Sequence, residues 1–204
     1  MDIAHVRIHN SVNHPFQVAP FDEVEVYEHG EEFALQNGYV RAAFNKDGLL
    51  QSMTTLDDKI KTDMKLEFVR YGTRRSGDKS GAYLFLPDGM AQVMPVENPY
   101  VRIIEGKIVS YVQVRLPYVK HTVTLKSSPD VDGTGLQIDN HVDIRNLNNV
   151  ELAMRFSSSL DSKDTFFTDL NGFQMMKRKR MSKIPLQANY YPIPSLAYIE
   201  DQQR

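Results

Sequence analysis

The chain has 204 residues and a formal net charge of −2, and apolar residues make up 41% of it. These values are typical of a folded globular protein, and they exclude wholesale disorder and an overall basic field that would draw the chain to nucleic acid. The absence of cysteine excludes disulfides, thiolate metal sites and a cysteine nucleophile. No uncharged stretch without proline is long enough to span a bilayer, so we expect no transmembrane segment in this chain.

Alternation of apolar and polar residues recurs along the chain and predicts antiparallel strands with one buried face. In chain order the alternating segments are residues 24–26, 112–116 and 119–125, continued by Leu136, Ile138, Val142 and Ile144. Dipeptides typical of hairpin turns lie between such segments. They are Asn37-Gly38, Asp47-Gly48, Asp88-Gly89, Asp132-Gly133 and Asn171-Gly172.

One segment, residues 149–160, is a candidate for a short helix. Its apolar residues Leu152, Met154 and Phe156 alternate instead with the period of a strand, so we predict a strand there. Many short strands joined by regular turns are typical of a sandwich or a barrel. The predicted fold class is all-β, with antiparallel sheets.

The segment GTRRSGDKS, residues 72–80, is similar to a phosphate-binding loop but departs from the pattern G-x-x-x-x-G-K-[ST]. Asp78 separates Gly77 from Lys79, so a carboxylate would face the phosphates. A helix should follow such a loop, whereas residues 83–86 predict a strand. We therefore interpret the segment as a flexible charged loop rather than a nucleotide site.

Three histidines near the start of the chain, His5, His9 and His14, are candidate metal ligands. On one face of a strand, His5 and His9 would stand about 13 Å apart. A single zinc ion with bonds of about 2 Å could not reach both of them without long loops. We therefore interpret these side chains as surface histidines.

Several aspartates are candidates for the carboxylate pair of glycoside hydrolysis, which needs two groups about 5 to 10 Å apart. They are Asp57, Asp58, Asp78, Asp88 and Asp169. Spacing along a β fold cannot pair them, and Asp57, Asp58 and Asp88 are most simply turn residues. The residues alone therefore predict no catalytic group and no metal ligand in this chain.

The two strongest charge runs have opposite signs. Residues 22–32 hold six acidic residues and no basic one, and residues 177–180 read KRKR. The basic run is similar to a nucleic-acid-binding patch, but it also closes a predicted hairpin, where cations blunt the pairing of an exposed edge strand. The near-neutral chain favours the structural interpretation, so we expect no nucleic-acid partner.

Two long blocks, YGTRRSGDKSGAYLFLPDG at residues 71–89 and residues 166–201, resemble the α-mannosidase II branch of glycoside hydrolase family 38. Residues 34–53 and 142–156 are similar to further strands of that family. The resemblance covers residues 33–201, whereas residues 1–32 match only loosely. It implies lead-in strands over residues 1–32 and a C-terminal β-sandwich, part of a mutarotase-like supersandwich, over residues 33–204.

The resemblance also implies how this chain would take part in catalysis. In the family, the zinc ligands and the nucleophilic aspartate belong to an N-terminal domain, and none has a counterpart here, so the chain alone is expected to be inactive. The tyrosine of SGAYLF, here Tyr83, corresponds to a residue whose hydroxyl reaches the bound mannose. From its sequence context alone, Tyr83 is more simply a core aromatic residue on a strand, with Lys79 and Ser80 ordering the loop.

The function implied by the resemblance is retaining, zinc-assisted hydrolysis of terminal α-1,3 and α-1,6 mannose from N-glycan intermediates. The implied location is the Golgi lumen, reached through a membrane anchor outside this chain. The implied partners are the N-glycan and the N-terminal catalytic domain. The alternative is a non-catalytic β-sandwich module that binds carbohydrate or a partner. We also expect the isolated chain to associate through uncovered sheet edges and apolar faces.

Overall fold

The computed structural model describes residues 31–57, 59–81 and 83–201. Residues 31–66 and 95–146 form one compact unit, and residues 67–94 and 147–201 form a second. The histidines at 5, 9 and 14, the predicted strand at 24–26, the acidic run up to residue 30 and Asp58 lie outside the described residues. No helix within the described ranges is long and apolar enough to cross a membrane.

Thirteen strands and two short 3-10 helices make up the regular structure of the described residues, which contain no α-helix. The strands are β1 (Phe33–Gln36), β2 (Val40–Phe44), β3 (Leu50–Thr55), β4 (Lys61–Gly72), β5 (Gln92–Val93), β6 (Tyr100–Ile104), β7 (Val109–Leu116), β8 (Val119–Lys126), β9 (Gln137–Val142), β10 (Val150–Ser158), β11 (Thr165–Leu170), β12 (Gln174–Lys179) and β13 (Ala197–Tyr198). The 3-10 helices span Val131–Gly133 and Leu186–Asn189. The predicted all-β class is therefore confirmed.

The first unit is a β-sandwich of two antiparallel sheets. One sheet runs β1-β2-β3 and the first half of β4, and the other has the order β6-β7-β8-β9. As the alternation predicts, Val112 and Val114 of β7 and Val123 of β8 are fully buried. Aliphatic residues of both sheets form the core, and each buried leucine or valine contributes about 1.5–3 kcal/mol relative to an exposed one.

Glycine is required where the β2–β3 hairpin approaches the facing sheet. Gly48 has a φ of +76°, in the left-handed region, and a Cβ at this position would lie 2.6 Å from Cγ2 of Val114. The side chain of Asn45 accepts the backbone N–H groups of Asp47 and Leu49 and so fixes the turn. The predicted Asp47-Gly48 turn is therefore confirmed, with a packing reason for its glycine.

Two other turn predictions were wrong. Asp132-Gly133 lies in the 3-10 helix Val131–Gly133 rather than in a two-residue hairpin, because Asp130 caps that helix by accepting from the N–H of Asp132. Asp88-Gly89 lies in a longer connection between β4 and β5, and neither residue has a positive φ. In contrast, Asn171 and Gly172 both have positive φ and join β11 to β12, as predicted.

The buried face predicted for residues 136–144 was partly wrong. Val142 and Ile144 are 49% and 42% exposed. The reason is that β9 is the last strand of its sheet, paired on one side with β8. Alternation sets which face of the sheet each side chain points to, but the inward-facing side chains of an edge strand are covered by fewer neighbours and stay partly exposed.

The second unit contains the remaining half of β4 with β5 and β10, and the three-stranded sheet β12-β11-β13. Residues 150–158 form strand β10, as predicted. Among the described residues of this unit, the large apolar side chains that are buried are Phe68 and Val69. Exposed large apolar side chains in the same unit include Phe156, Leu170, Phe173, Ile193 and Leu196.

Candidate functional site

The loop that follows β4, residues 73–87, is closed at its base by backbone contacts. Thr73 and Pro87 form an isolated antiparallel bridge. The N–H of Asp88 donates to the carbonyl of Gly72 at 3.1 Å, and the N–H of Arg74 donates to the carbonyl of Leu86 at 3.4 Å. The loop therefore leaves and returns to the sheet at one point.

Within the loop, local hydrogen bonds replace a strand. The N–H of Gly81 donates to the carbonyl of Leu84 at 2.9 Å, and the N–H of Leu86 donates to Oγ of Ser80 at 2.8 Å. The prediction of a strand over residues 83–86 was wrong because these groups satisfy one another inside the loop instead of forming a ladder. The expectation that Ser80 orders the loop is confirmed.

A cluster of three aromatic rings, Tyr71, Phe85 and Tyr190, anchors this loop. The ring of Phe85 packs edge-on against Tyr71 at 5.2 Å and against Tyr190 at 5.0 Å between centroids. The hydroxyl of Tyr190 donates to the hydroxyl of Tyr71. Edge-to-face pairs of this kind contribute about 0.5–1.5 kcal/mol each beyond the area they bury. We call these residues the aromatic anchor.

The anchor also changes the chemistry of Tyr190. Burial, reinforced by the hydrogen bond to Tyr71, raises the pKa of the Tyr190 phenol well above its usual range. The neutral phenol is therefore favoured, and its hydrogen bond to Tyr71 helps to hold the anchor together.

Tyr83 lies in the loop held by the anchor and is 98% exposed. Its side chain makes no hydrogen bond or ring contact with the other described residues. The interpretation as a core aromatic residue on a strand was therefore wrong. An exposed phenol on an anchored loop presents both a ring face and a hydroxyl that can donate and accept a hydrogen bond.

The second of the two resembling blocks forms the β11–β12 hairpin and a segment that folds along it. The carboxylate of Asp169 on β11 accepts from the backbone N–H groups of Gly172, Ser195 and Leu196 at 2.8–2.9 Å, and from Oγ of Ser195 at 2.8 Å. Asp169 is 3% exposed. These hydrogen bonds, those from Leu196 and Ser195 first, hold the pKa of the carboxyl well below its usual range.

Asp169 therefore has a structural role and is not a candidate for a general acid. A general acid needs a raised pKa and access to the substrate, and this carboxylate has neither. Of the other candidate aspartates in the described residues, Asp57 lies in a turn and Asp78 and Asp88 are exposed in the 72–89 segment. None of these three carboxylates is buried.

The basic run KRKR lies on an edge strand, as predicted, because β12 is the outer strand of the order β12-β11-β13. Arg178 donates from Nε to Oγ1 of Thr168 at 3.1 Å and lies 5.3 Å from the ring centroid of Tyr191. Arg180 pairs with Asp164 at 3.2 Å. These contacts give two of the four cations a structural role.

Metal binding requires several ligands that converge on one point. Residues 31–57, 59–81 and 83–201 contain no group of three or more His, Asp or Glu side chains able to hold a metal ion. The histidines considered from the sequence fall outside these ranges. The described residues therefore do not fit a zinc site.

Two features of this unit were missed by reasoning from the sequence. The first is the aromatic anchor, which brings Tyr71 and Phe85 of one resembling block against Tyr190 of the other. The second is the role of Asp169 in holding the segment around Ser195. No local signal reveals the contact of Tyr71 with Tyr190, 119 positions apart, or of Asp169 with Ser195, 26 positions apart. The residues themselves stand within the two resembling blocks.

The described residues thus define an all-β chain of antiparallel sheets, with a β-sandwich in the first unit and an anchored, tyrosine-bearing loop in the second. Comparison with known families then identifies the family to which this β-sandwich chain belongs. Residues 35–204 match the Glycosyl hydrolases family 38 C-terminal domain. The chain belongs to glycoside hydrolase family 38, which confirms the resemblance seen in the sequence.

Curated relatives agree with this assignment. The chain is 46% identical to Alpha-mannosidase 2x of Mus musculus over 89% of its length, and 46% identical to Alpha-mannosidase 2 of Drosophila melanogaster over 78%. It is 42% identical to Alpha-mannosidase 2 of Homo sapiens over 84%. The chain spans only 14% to 16% of the length of these three relatives.

Proposed function

We propose that this chain is part of an α-mannosidase that removes terminal α-1,3- and α-1,6-linked mannose from N-glycan intermediates, and that it forms the β-sandwich and one rim of the active site. The observation that carries the proposal is the 98% exposure of Tyr83 on a loop fixed by the aromatic anchor. The family match and the names of the relatives supply the reaction class.

In this proposal, the hydroxyl of Tyr83 hydrogen-bonds a hydroxyl of the bound mannose. A phenol suits this task because it offers one donor and two acceptor positions on a side chain with only two rotatable bonds. The anchor at Phe85, two residues away, limits the movement of the loop before substrate binds. Preorganisation of this kind lowers the entropic cost of positioning the sugar.

The chemical step is proposed to be a retaining hydrolysis, which uses one carboxylate as nucleophile and another as acid and base. The described residues contain no group of side chains able to hold a metal ion, and hydrogen bonds hold the pKa of the buried Asp169 carboxyl well below its usual range. The proposal therefore assigns the catalytic carboxylates and the zinc ion to further polypeptide, as the resemblance implies. We expect the 204-residue chain by itself to hydrolyse no α-mannoside.

The proposed partner is an N-terminal catalytic domain of the same polypeptide, within the Golgi lumen. The exposed apolar side chains of the second unit support a partner, since extended apolar surface marks regions that other polypeptide covers. Phe173, at the end of the β11–β12 hairpin, is 87% exposed and is the largest of them at a turn. The structural roles of Arg178 and Arg180 favour this kind of partner over nucleic acid.

An antibody raised against residues 166–201 tests the proposal on the native protein. We expect it to capture from the source a polypeptide several times larger than the 23.4 kDa of this chain. The captured material should release mannose from a mannose-terminated N-glycan and lose that activity with a zinc chelator. Capture of a larger polypeptide without α-mannosidase activity would contradict the proposal.

The alternative is a non-catalytic module that uses the Tyr83 loop to bind carbohydrate. The exposure of Tyr83 favours it as well, because the loop needs no catalytic group to contact a sugar. Capture of a stable 23.4 kDa protein would support this alternative. Calorimetric titration of that protein with mannose oligosaccharides would then show heat of binding, and absence of heat at about millimolar ligand would count against it.

A further inference from the structure

The β6–β9 sheet presents a polar face on the side opposite its core. Directly opposed residues form one row across all four strands, and we call it the outer row: Tyr100 on β6, Arg115 on β7, Lys120 on β8 and His141 on β9. With strands about 4.8 Å apart, the row is about 14 Å long. Three basic side chains therefore stand side by side on a rigid sheet.

The outer row borders a concave surface. Tyr100, Arg102, Gln113, Arg115 and Lys120 line a shallow, open depression of about 360 Å³. Gln113 lies two residues along β7 from Arg115 and donates to Oγ1 of Thr122 at 3.4 Å. The depression contains three cations, an aromatic ring and an amide, and no carboxylate.

The positive charges in the depression are not balanced by ion pairs within the described residues. Arg115 lies directly opposite Lys120, an arrangement that destabilises a sheet. Among the described ranges, no carboxylate forms an ion pair with either of them or with Arg102. By comparison, Lys126 on the same strand β8 pairs with Asp132 at 2.7 Å.

β9 contributes one acidic residue to this face, Asp139, and it lies in the neighbouring row of opposed residues rather than in the outer row. Asp139 lies opposite Thr122 and accepts a hydrogen bond from Nε2 of Gln137 at 3.0 Å. Within the sheet, no ion pair therefore offsets the repulsion between Arg115 and Lys120. An arrangement that lowers stability is retained most readily where it serves binding.

We propose that the outer row binds an anionic oligosaccharide through its sulfate or carboxylate groups. The guanidinium of Arg115 can hold two oxygens of such a group at once, and Lys120 adds a second charge one strand away. Tyr100, 62% exposed, and Gln113 offer the donors and acceptors that sugar hydroxyls need. This site lies in the first unit and does not rest on the function proposed for Tyr83.

An oligosaccharide fits this surface better than an acidic protein does. Protein interfaces bury about 800 Å² on each partner and centre on apolar residues, with lysine depleted. The outer face of β6–β9 is polar across both rows and has its lysine near the middle. A polar depression that spans β6, β7 and β8 matches a flexible charged chain a few sugar rings long.

The test is titration of the full-length polypeptide that carries this sequence with a fluorescein-labelled, heparin-derived sulfated tetrasaccharide, followed by fluorescence anisotropy. We expect the double variant R115Q/K120Q to weaken binding by at least about 10-fold, because it removes two charged hydrogen-bond donors that face the anionic groups. The matched control K177Q/K179Q removes the same charge from two exposed lysines of β12 and should change the affinity less than about twofold. A tetramer of galacturonate should compete, and neutral mannotetraose should not.

Three results would overturn the proposal. One is equal weakening by the two double variants, which would indicate attraction by net charge. Another is competition by mannotetraose, which would indicate a site for neutral sugars, or competition by hepta-glutamate that is stronger than that of the galacturonate tetramer, which would indicate a site for an acidic protein. The third is a fall in the melting temperature of R115Q/K120Q, because loss of the like-charge pair should leave the melting temperature unchanged or raise it.

Discussion

Replacement of Phe85 by alanine should release the Tyr83 loop without unfolding the rest of the chain. Phe85 makes two edge-to-face contacts, with Tyr71 at 5.2 Å and with Tyr190 at 5.0 Å. At about 0.5–1.5 kcal/mol for each contact, the substitution removes about 1–3 kcal/mol from the stability of the closed loop. The remaining contacts of the anchor, the ring contact and the hydroxyl contact between Tyr71 and Tyr190, involve no residue of the loop.

Amide hydrogen exchange measures this loss directly. The N–H groups of Arg74, Leu86 and Asp88 close the loop and exchange only when it opens. A loss of about 1–3 kcal/mol should raise their exchange rates by about 5- to 150-fold. The amides of β8, which lie in the first unit, should keep their rates because the perturbation is local.

The matched control is Phe173→Ala, which removes the same side chain from another turn of the second unit. Phe173 is 87% exposed, so its loss should leave the three loop amides unchanged. The reasoning is refuted if Phe85→Ala does not accelerate exchange at these amides. It is equally refuted if Phe173→Ala accelerates them as much, because the effect would then not come from the anchor.

Two further predictions concern stability. His121 is fully buried and donates from Nδ1 to Oδ1 of Asn140 at 2.7 Å, and burial lowers its pKa below 6.5. As the pH falls, the unfolded chain therefore gains a proton at His121 before the folded chain does. The wild type should lose up to about 1.4 kcal/mol of its free energy of unfolding between pH 7.5 and 5.5, relative to His121→Leu. Urea unfolding of both proteins at several pH values checks this, and parallel pH profiles would disprove it. Asp169→Ala should lower the melting temperature and speed proteolysis between residues 190 and 198, since three backbone N–H groups lose their acceptor. The Asp169 contribution should persist above about pH 4 and disappear as the pH falls further, because its folded pKa is lowered. Asp78→Ala, which replaces an exposed aspartate of the same unit, is the control.

Local alternation was enough to predict strands β7, β8 and β10 and the buried faces of β7 and β8. Period-two alternation placed β7 and β8 correctly, because one face of these central strands packs on the core and the other faces solvent, so alternate side chains are buried. The same rule failed at Val142, since burial on an edge strand depends on what covers it. It also failed at residues 83–86, where Ser80 and Gly81 satisfy the backbone locally.

The candidate site depended on information that a local pattern does not carry. Tyr83 was singled out by resemblance, whereas its exposure follows from the anchor between Phe85 and Tyr190, which are 105 positions apart. The outer row could have been read from alternation alone, since Arg115 and Lys120 occupy the polar phase of β7 and β8. Its meaning required the pairing register, which puts the two cations opposite each other.

The most direct test of the central claim is the effect of Tyr83→Phe on the kinetics of the full-length polypeptide that carries this sequence. Loss of one neutral hydrogen bond to mannose should lower kcat/KM on a mannose-terminated N-glycan by about 2- to 13-fold, corresponding to about 0.5–1.5 kcal/mol. The melting temperature should not change, because the 98% exposed phenol has no partner among the described residues. Tyr39→Phe, on the β1–β2 turn of the first unit, should leave kcat/KM unaltered. An unchanged kcat/KM in Tyr83→Phe would contradict a mannose-binding role for this loop.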